Sequence, residues 1–352
     1  RQRDIRRNEI GIPCGPVYVG KRVFLLPKRA INRKGRRADM RGFIDLHCDV
    51  LAKLLTGEAL AFDGPGADGL DVTHEGLTGS GAVLQTFAIW LPKRLPQTFL
   101  SVAAAIDAFH RHVLSRPDMT FVRTREDLAA CGPGRPGALL ALEGAEGLEG
   151  SLAALRLLHR LGLRMLGPTW NDANWAADGA MEPRGGGLTR AGRELVRACN
   201  ELGIIVDVSH LSERAFHDVL GESAKPVVAS HSNARSVCDH PRNLTDGQIR
   251  AIIETGGLIG LTFVPWFVKD GEDVSREDLI PHIERVLELG GEKSLALGSD
   301  YDGIDRHIRG LAGPRDTAEL LEMLEKRYGG ELTESIARGN AFRFLSNELP
   351  SA

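Results

Sequence analysis

The sequence predicts an α/β protein in which eight parallel strands and their helices close into a (β/α)8 TIM-like barrel. Three observations support this prediction: eight short apolar runs, amphipathic helical patterns between them, and polar residues at the end of most runs. A regular alternation of strands and helices is typical of a parallel sheet. Eight such strands within about 310 residues are the number expected for a closed barrel.

The apolar runs are interpreted as strands because they are rich in Val, Ile and Leu and do not alternate with polar residues. This pattern is typical of strands that are buried on both faces. The eight predicted strands cover residues 42–49, 81–90, 137–144, 163–171, 203–210, 226–232, 257–267 and 294–303.

Between the strands, apolar residues recur at intervals of three and four, which indicates amphipathic helices. The predicted helices cover residues 98–115, 151–162, 188–203, 211–221, 245–257 and 275–291. An open, doubly wound sheet is the alternative architecture for such an alternation. No GxGxxG turn follows the first strand, however, and this disfavours the open sheet.

The composition is that of a globular protein, with 352 residues of which 42% are hydrophobic and 26% charged. No apolar stretch approaches the roughly 18 residues needed to span a bilayer, so no membrane partner is expected. The five cysteines are scattered along the chain, which argues against a disulfide framework. This use of cysteine predicts a reducing, cytoplasmic location.

The charge is distributed unevenly between two parts of the chain. Residues 1–39 hold 12 Lys/Arg and 3 Asp/Glu, whereas the remainder holds 32 Lys/Arg and 44 Asp/Glu. We therefore expect a basic N-terminal extension over residues 1–39, either poorly ordered or not native, and a single barrel domain over residues 40–352. The acidic domain, and the absence of a nucleic-acid-binding motif in the basic segment, argue against nucleic acid as a partner.

Ionisable residues collect where the predicted strands end, which is the face that carries the active site in barrels of this kind. These residues are His47, Asp49, Glu143, His210, His231, Asp300 and Asp302. Imidazole and carboxylate groups without clustered cysteines suit a hydrolytic Zn²⁺ site, or a site for a related divalent ion.

Three of these residues can be argued from their local sequence. His47 and Asp49 lie two residues apart, so on a strand both side chains point to one face. Asp45 shares that face, where it either orients a ligand or belongs to a buried polar layer. Glu143 follows the apolar run ALLAL, and a buried carboxylate needs a partner. This favours Glu143 as a metal ligand over a charge at a helix N-terminus.

His210 and His231 form a matching pair, because each ends an apolar run and directly follows a serine. A single histidine in such a place is usually a core residue, but two at equivalent positions of neighbouring strands favour metal ligands. Asp207 is either a hydrogen-bonding partner of these histidines or a core polar residue. The other eight histidines, including His282, are predicted to lie in solvent or at helix ends.

Several separated motifs occur together in one order along residues 43–345. They are IDLHCD (44–49), LEG (142–144), LGLRMLGPTWN (161–171), GGLTRAGRELVRACNELGIIVDVSH (186–210), ASHSNARSVCDHPRN (229–243), LGSDYDG (297–303) and GNAFR (339–343). In this ordered set the chain resembles the membrane (renal) dipeptidase family of zinc dipeptidases, and particularly its soluble bacterial members. The resemblance implies a barrel of the metallo-dependent hydrolase type.

The resemblance implies a dinuclear zinc site with two Zn²⁺ per chain. His47, Asp49 and Glu143 would hold one zinc, and Glu143 would bridge to a second zinc held by His210 and His231. Two metals about 3.5–4 Å apart can share a water whose pKa falls to about 7. The resulting hydroxide would attack the peptide carbonyl.

The resemblance also implies how a dipeptide would be bound. Arg242, in HPRN, matches the arginine that binds the substrate carboxylate, although a surface ion pair or a helix start also explains an arginine there. Asp300 matches an aspartate that contacts substrate and handles protons, a task that Glu143 could share. Trp170 replaces a histidine that helps many members to bind substrate, and Asn171 could supply a polar contact instead.

The expected activity is hydrolysis of dipeptides, including those with a C-terminal D-residue, and a homodimer is the assembly that the resemblance suggests. The alternative is another metal-dependent barrel enzyme that hydrolyses a cyclic amide or a lactone. Such enzymes more often carry HxH after the first strand and a bridging lysine after the fourth, and this sequence has neither. A non-enzymatic binding protein that kept the barrel is a third interpretation.

Overall fold

The computed structural model describes residues 42–352, together with two short antiparallel strands, Tyr18–Val19 and Arg22–Val23. The rest of the predicted basic extension, residues 1–39, lies outside the described residues. Eight parallel strands form the sheet of the barrel. They are β1 Phe43–Cys48, β2 Ala82–Trp90, β3 Gly137–Glu143, β4 Leu163–Gly167, β5 Ile205–Val206, β6 Val228–Ala229, β7 Leu258–Leu261 and β8 Leu295–Leu297.

The strand order confirms the predicted barrel and excludes the open, doubly wound sheet. Neighbouring strands follow one another in the order β5, β4, β3, β2, β1, β8, β7, β6. A parallel bridge between Asp207 and Val228 joins β5 to β6, and the Val208 N–H donates to the carbonyl of Val228 at 2.7 Å. The sheet therefore closes on itself, with one further strand, Thr120–Phe121, paired to the start of β3.

Helices follow the strands and cover the outside of the sheet. The α-helices are α1 Val50–Thr56, α2 His74–Ser80, α3 Phe99–Ala108, α4 Arg125–Ala129, α5 Leu152–Arg160, α6 Arg190–Leu202, α7 Glu213–Glu222, α8 Asp246–Glu254, α9 Pro265–Val268, α10 Ile280–Glu288, α11 Pro314–Tyr328, α12 Gly330–Glu334 and α13 Asn340–Glu348. All six predicted helices are present. In the described part of the chain, no helix has the length and apolar character required to cross a bilayer.

The barrel core consists of aliphatic strand residues packed against the apolar faces of the helices. Phe344 and Leu345 of the last helix, α13, belong to a buried cluster with strand residues Ile44, Leu139 and Met165. Burial of each such side chain contributes about 1.5–3 kcal/mol. Close packing also occurs between strands, because a Cβ at Gly260 or Gly298 would lie within 2 Å of the Ser230 carbonyl oxygen, at 1.9 Å and 1.8 Å.

Candidate metal centre

The strand ends bring the predicted ionisable residues together at one mouth of the barrel. His47 is in β1, Asp49 directly follows it, and Glu143 is the last residue of β3. His210, His231 and Asp300 follow β5, β6 and β8. The three histidines and Asp49 are at most 6% exposed, so this is a buried group of polar side chains.

The first half of the group is arranged around one nitrogen of His47. Its Nε2 atom lies 3.4 Å from Asp49 Oδ2, 3.6 Å from Glu143 Oε2 and 3.7 Å from Asp300 Oδ1. His47 Nε2 and Asp49 Oδ1 are buried without a hydrogen-bond partner. Because buried polar atoms are nearly always paired, this geometry fits donor atoms that bind a cation.

The second half of the group is arranged around the other oxygen of Glu143. Glu143 Oε1 lies 2.7 Å from His210 Nε2 and 3.5 Å from His231 Nε2, and the two nitrogens are 2.8 Å apart. The two carboxylate oxygens of Glu143 thus face two separate sets of donors. Imidazole and carboxylate donors gathered in this way fit divalent metal ions.

The far nitrogens of both histidines are held by hydrogen bonds that set their tautomers. His210 Nδ1 lies 2.8 Å from Asn171 Oδ1, which can only accept, so Nδ1 donates. His231 Nδ1 lies 2.7 Å from Ser230 Oγ, whose hydroxyl donates to Asp207. Ser230 Oγ therefore accepts from His231 Nδ1. Both Nε2 atoms keep a free lone pair toward Glu143, which is the tautomer that metal binding requires.

Asp45 holds the strands beneath the site together. Its carboxylate accepts from the backbone N–H of Ser299 at 2.8 Å and from the Ser299 hydroxyl at 2.6 Å. The sequence left open whether Asp45 orients a ligand or satisfies a buried polar layer. The contacts place it in a polar layer that joins β1 to the residues after β8.

The electrostatics of the group favour bound cations. Burial raises the pKa of Glu143 well above its usual range and that of Asp300 to about 7. Burial also lowers the pKa values of His210 and His231. For His47 burial acts in the same direction, but the charges of the nearby carboxylates outweigh it and raise the pKa to about 10. Divalent cations would offset the carboxylate charges gathered here.

Two backbone features position the carboxylates and His210. His210 and Asp300 have positive φ angles of 69° and 66°, which are uncommon for residues other than glycine and occur at functional sites. A Cβ on Gly303 would lie 2.3 Å from Asp49 Oδ2 and 2.6 Å from Asp300 Oδ1. Only glycine at this position leaves room for both carboxylates.

Arg242 lies beside the group, in the segment after β6, and is 3% exposed. One guanidinium nitrogen donates to the His231 carbonyl at 3.3 Å, and its Nε has no partner. This burial rules out the surface ion pair that the sequence allowed. Although burial lowers its pKa to about 10, Arg242 remains a cation at neutral pH.

Trp170 and Asn171 follow β4 and lie next to His210. The ring of Trp170 is 5.9 Å from the His210 ring and 5.2 Å from the ring of Trp90, centroid to centroid. Trp90 ends β2 and is in register with Glu143. Trp90 was not among the residues predicted for the site, although its place at the end of a predicted strand was a signal.

His282 corrects a prediction made from the sequence. It was expected in solvent or at a helix end, but it is fully buried in α10. Its Nε2 donates to the Val268 carbonyl at 2.8 Å, and its Nδ1 accepts from the Ala234 N–H at 3.1 Å. The helical spacing from Leu279 and to Val286 was a signal that position 282 faces the core.

Comparison with known proteins identifies a family that matches nearly the whole barrel. The sequence profile described as membrane dipeptidase (peptidase family M19) matches residues 39–350. Dipeptidase tcpJ of Claviceps purpurea is 36% identical over 218 residues, which cover 60% of this chain and 51% of that protein. The chain spans 51% of the length of tcpJ and 70% of the length of a Klebsiella pneumoniae protein encoded in the pqqA 5' region, which is 39% identical over 189 residues.

Solved structures match over a larger share of both chains. A crystal structure of dipeptidase AC, a metallopeptidase of family M19, has a TM-score of 0.81 and 29% identity, covering 89% of this chain and 100% of that one. A metallopeptidase from Rhodobacter sphaeroides, liganded with a phosphinate mimic of the dipeptide L-Ala-D-Ala, has a TM-score of 0.80 and 28% identity. That match covers 88% of this chain and 99% of the other.

Proposed function

Because this chain belongs to the membrane dipeptidase family, peptidase family M19, we propose that it hydrolyses the peptide bond of dipeptides with two bound Zn²⁺. The observation that carries the proposal is the position of Glu143. One of its oxygens faces His47 and the other faces His210 and His231, at 3.6 Å, 2.7 Å and 3.5 Å. This arrangement supports a carboxylate shared by two metals.

The proposed ligands divide between the two sides of Glu143. His47 and Asp49 would hold one zinc together with Glu143, and His210 and His231 would hold the other. When bound, the metals supply an acidified water as nucleophile and polarise the scissile carbonyl. The buried hydrogen bonds from the histidine Nδ1 atoms keep the imidazole rings oriented for this task.

Arg242 is proposed to bind the free carboxylate of the substrate. A buried guanidinium with an unpartnered Nε is suited to a carboxylate, which it can contact through two parallel hydrogen bonds. Arg242 donates to the carbonyl of His231, a proposed ligand, so a carboxylate bound by Arg242 would lie beside the metal centre. A free carboxylate so close to the scissile bond is present in dipeptides and absent from longer peptides.

Asp300 and Glu143 are the proposed groups for moving the proton to the leaving amine. Asp300 Oδ1 lies 3.7 Å from His47 Nε2, so its carboxyl faces the reacting centre. Trp170 and Asn171 are proposed to contact the substrate near the scissile carbonyl. Asn171 does so through its amide nitrogen, because Oδ1 accepts from His210.

The Rhodobacter sphaeroides relative supports acceptance of a D-residue at the carboxyl end, since its ligand mimics L-Ala-D-Ala. We extend this preference to the present chain as part of the proposal. A homodimer and a cytoplasmic location remain predictions from the sequence.

The test combines metal analysis with a substrate panel. We expect about two equivalents of zinc, and cleavage of Ala-Ala and Ala-D-Ala that a chelator abolishes and added Zn²⁺ restores. Glu143→Gln should lose zinc and activity, whereas Glu201→Gln, on an exposed face of α6, should keep both. Cleavage of cyclic amides or lactones but not dipeptides would instead support the alternative barrel hydrolase.

A further inference from the structure

A cavity of about 160 Å³ adjoins the metal centre on the side formed by the segments after β2, β3 and β4. Its lining includes Glu143, so the cavity begins at the proposed reacting centre. Trp90 and Trp170 form its aromatic part, and Gly144 and Gly147 add stretches without side chains. The cavity is therefore placed to receive one part of a bound substrate.

The topology of the barrel indicates which part this is. Arg242 follows β6, which lies four strands from β2 in an eight-stranded barrel. Arg242 and Trp90 are therefore on opposite sides of the same mouth. A dipeptide with its carboxylate at Arg242 and its scissile carbonyl beside Glu143 must extend its amino-terminal residue toward Trp90 and Trp170. This step rests on the proposed dipeptidase function.

The chemistry of the lining favours a flat apolar group. The rings of Trp90 and Trp170 are 5.2 Å apart at 44°, and both residues are half-buried and line the cavity. Aromatic rings whose centroids are 4.5–7 Å apart attract one another beyond the effect of buried area. An aromatic side chain of a substrate that packs against this pair would be stabilised by the same attraction.

Most polar side chains of the lining already have partners within the protein. Lys93 and Asp172 form an ion pair at the rim, and Lys93 Nζ lies 5.8 Å from the Trp170 ring. The amide nitrogen of Gln97 donates to three backbone carbonyls. Glu146 is a half-buried carboxylate for which the described residues provide no ion pair. It could bind a cationic side chain of a substrate, and a preference for lysine is therefore the alternative to a preference for aromatic residues.

We propose that this cavity is the subsite for the amino-terminal side chain of the substrate, and that it selects dipeptides that begin with Phe, Tyr or Trp. Trp90 and Trp170 are the residues that determine this specificity. Both tryptophans lie outside the set of proposed metal ligands, so they can set the preferred substrate without changing the metal centre.

The test compares kcat/KM for Phe-Ala, Ala-Ala and Lys-Ala with the zinc-loaded full chain. We expect Phe-Ala to exceed both others by about tenfold, because its ring is buried against the pair of indoles. Trp170→Ala and Trp90→Ala should remove most of this preference, mainly through KM, while Trp170→Phe should retain it. Trp266→Ala changes a half-exposed tryptophan outside the cavity and should leave the Phe-Ala to Ala-Ala ratio unchanged.

The outcomes separate this inference from the proposed function. Cleavage of Ala-Ala at a rate equal to that of Phe-Ala, or a preference for Lys-Ala, would overturn the aromatic subsite while leaving the dipeptidase intact. If no dipeptide is cleaved, the dipeptidase proposal fails. Tryptophan fluorescence titrations with the same three dipeptides then decide the subsite, which requires tighter binding of Phe-Ala that Trp170→Ala abolishes.

Discussion

Asn171 Oδ1 lies 2.8 Å from His210 Nδ1, and this contact fixes which nitrogen of the imidazole faces Glu143. The amide oxygen cannot donate, so the proton of a neutral His210 resides on Nδ1. His231 is fixed in the same way by Ser230 and Asp207. The two proposed ligands of one metal are therefore held by different partners, an amide in one case and a hydroxyl in the other.

Replacement of Asn171 by alanine should weaken metal binding at the His210 side. Loss of a hydrogen-bonding partner of this kind typically costs 10–100-fold in metal affinity. Isothermal titration of the metal-depleted protein with Zn²⁺ measures the change. Asn200→Ala removes a comparable amide acceptor at the end of α6, bonded to the Ala224 N–H at 2.6 Å, and should leave zinc affinity unchanged. Equal affinities of wild type and Asn171→Ala would contradict the assigned contact.

Removal of metal by a chelator should lower the melting temperature. Asp49, Glu143 and the three histidines would lose the cations that offset their burial. A ligand at about 100 times its dissociation constant adds about 2.7 kcal/mol to the free energy of unfolding. Differential scanning calorimetry with chelator and after re-addition of Zn²⁺ measures the shift. His217→Ala, at an exposed position of α7, should respond as wild type does, whereas His231→Ala should respond much less.

Arg242→Ala should reduce kcat/KM for dipeptides by about 30-fold or more while zinc stays bound. The estimate follows from the cost of about 2–5 kcal/mol for removing one partner of a buried charge pair. Steady-state kinetics on Ala-Ala and on its C-terminal amide provide the comparison. Wild type should strongly prefer the free acid, and the variant should treat the two substrates alike. Loss of zinc from the variant would indicate that Arg242 maintains the metal centre instead.

The segment between β4 and α6, residues 168–189, should lose part of its stabilisation in acid. Asp178 is 2% exposed and accepts from Arg184 Nε and from the Gly186 N–H, each at 2.7 Å. The hydrogen bond from Arg184 lowers the pKa of Asp178 below 3.8. The stabilisation is therefore full above about pH 4 and disappears as the pH falls through the lowered pKa.

Asp178→Asn should accordingly lower the melting temperature more at pH 7 than at pH 3. Thermal unfolding of both proteins across this range measures the difference. Asp107→Asn removes an exposed ion pair with Arg111 and should have little effect at either pH. If the melting temperatures of wild type and Asp178→Asn differed by the same amount at all pH values, the charge of Asp178 would not contribute to stability.

The barrel and the meeting of the ionisable groups were predictable because both follow from chain order. In a parallel barrel every strand carries its last residues to the same mouth, so His47 and Glu143 meet although they are far apart in sequence. The same rule applies to Trp90, the last residue of β2, but the prediction considered only ionisable residues at the strand ends.

The lengths of β5 and β6 were not predictable from apolar runs. Residues 203–210 and 226–232 were expected to be strands, yet β5 and β6 contain two residues each. Asp207 Oδ1 accepts from the backbone N–H groups of Ser209 and Ser230, each at 3.0 Å. The Asp207 side chain thus binds backbone N–H groups that would pair between strands in a longer ladder. Nothing in the sequence indicates that a side chain replaces the strand pairing here.

These two short strands are joined to each other by a single parallel bridge, between Asp207 and Val228. His210 and His231 follow directly on either side of this bridge. A cation bound to both imidazoles would link the end of β5 to the end of β6. In protein depleted of metal, local opening would begin there, and the amide hydrogen of Val208 would exchange with solvent faster than that of Leu139 in the central part of the sheet.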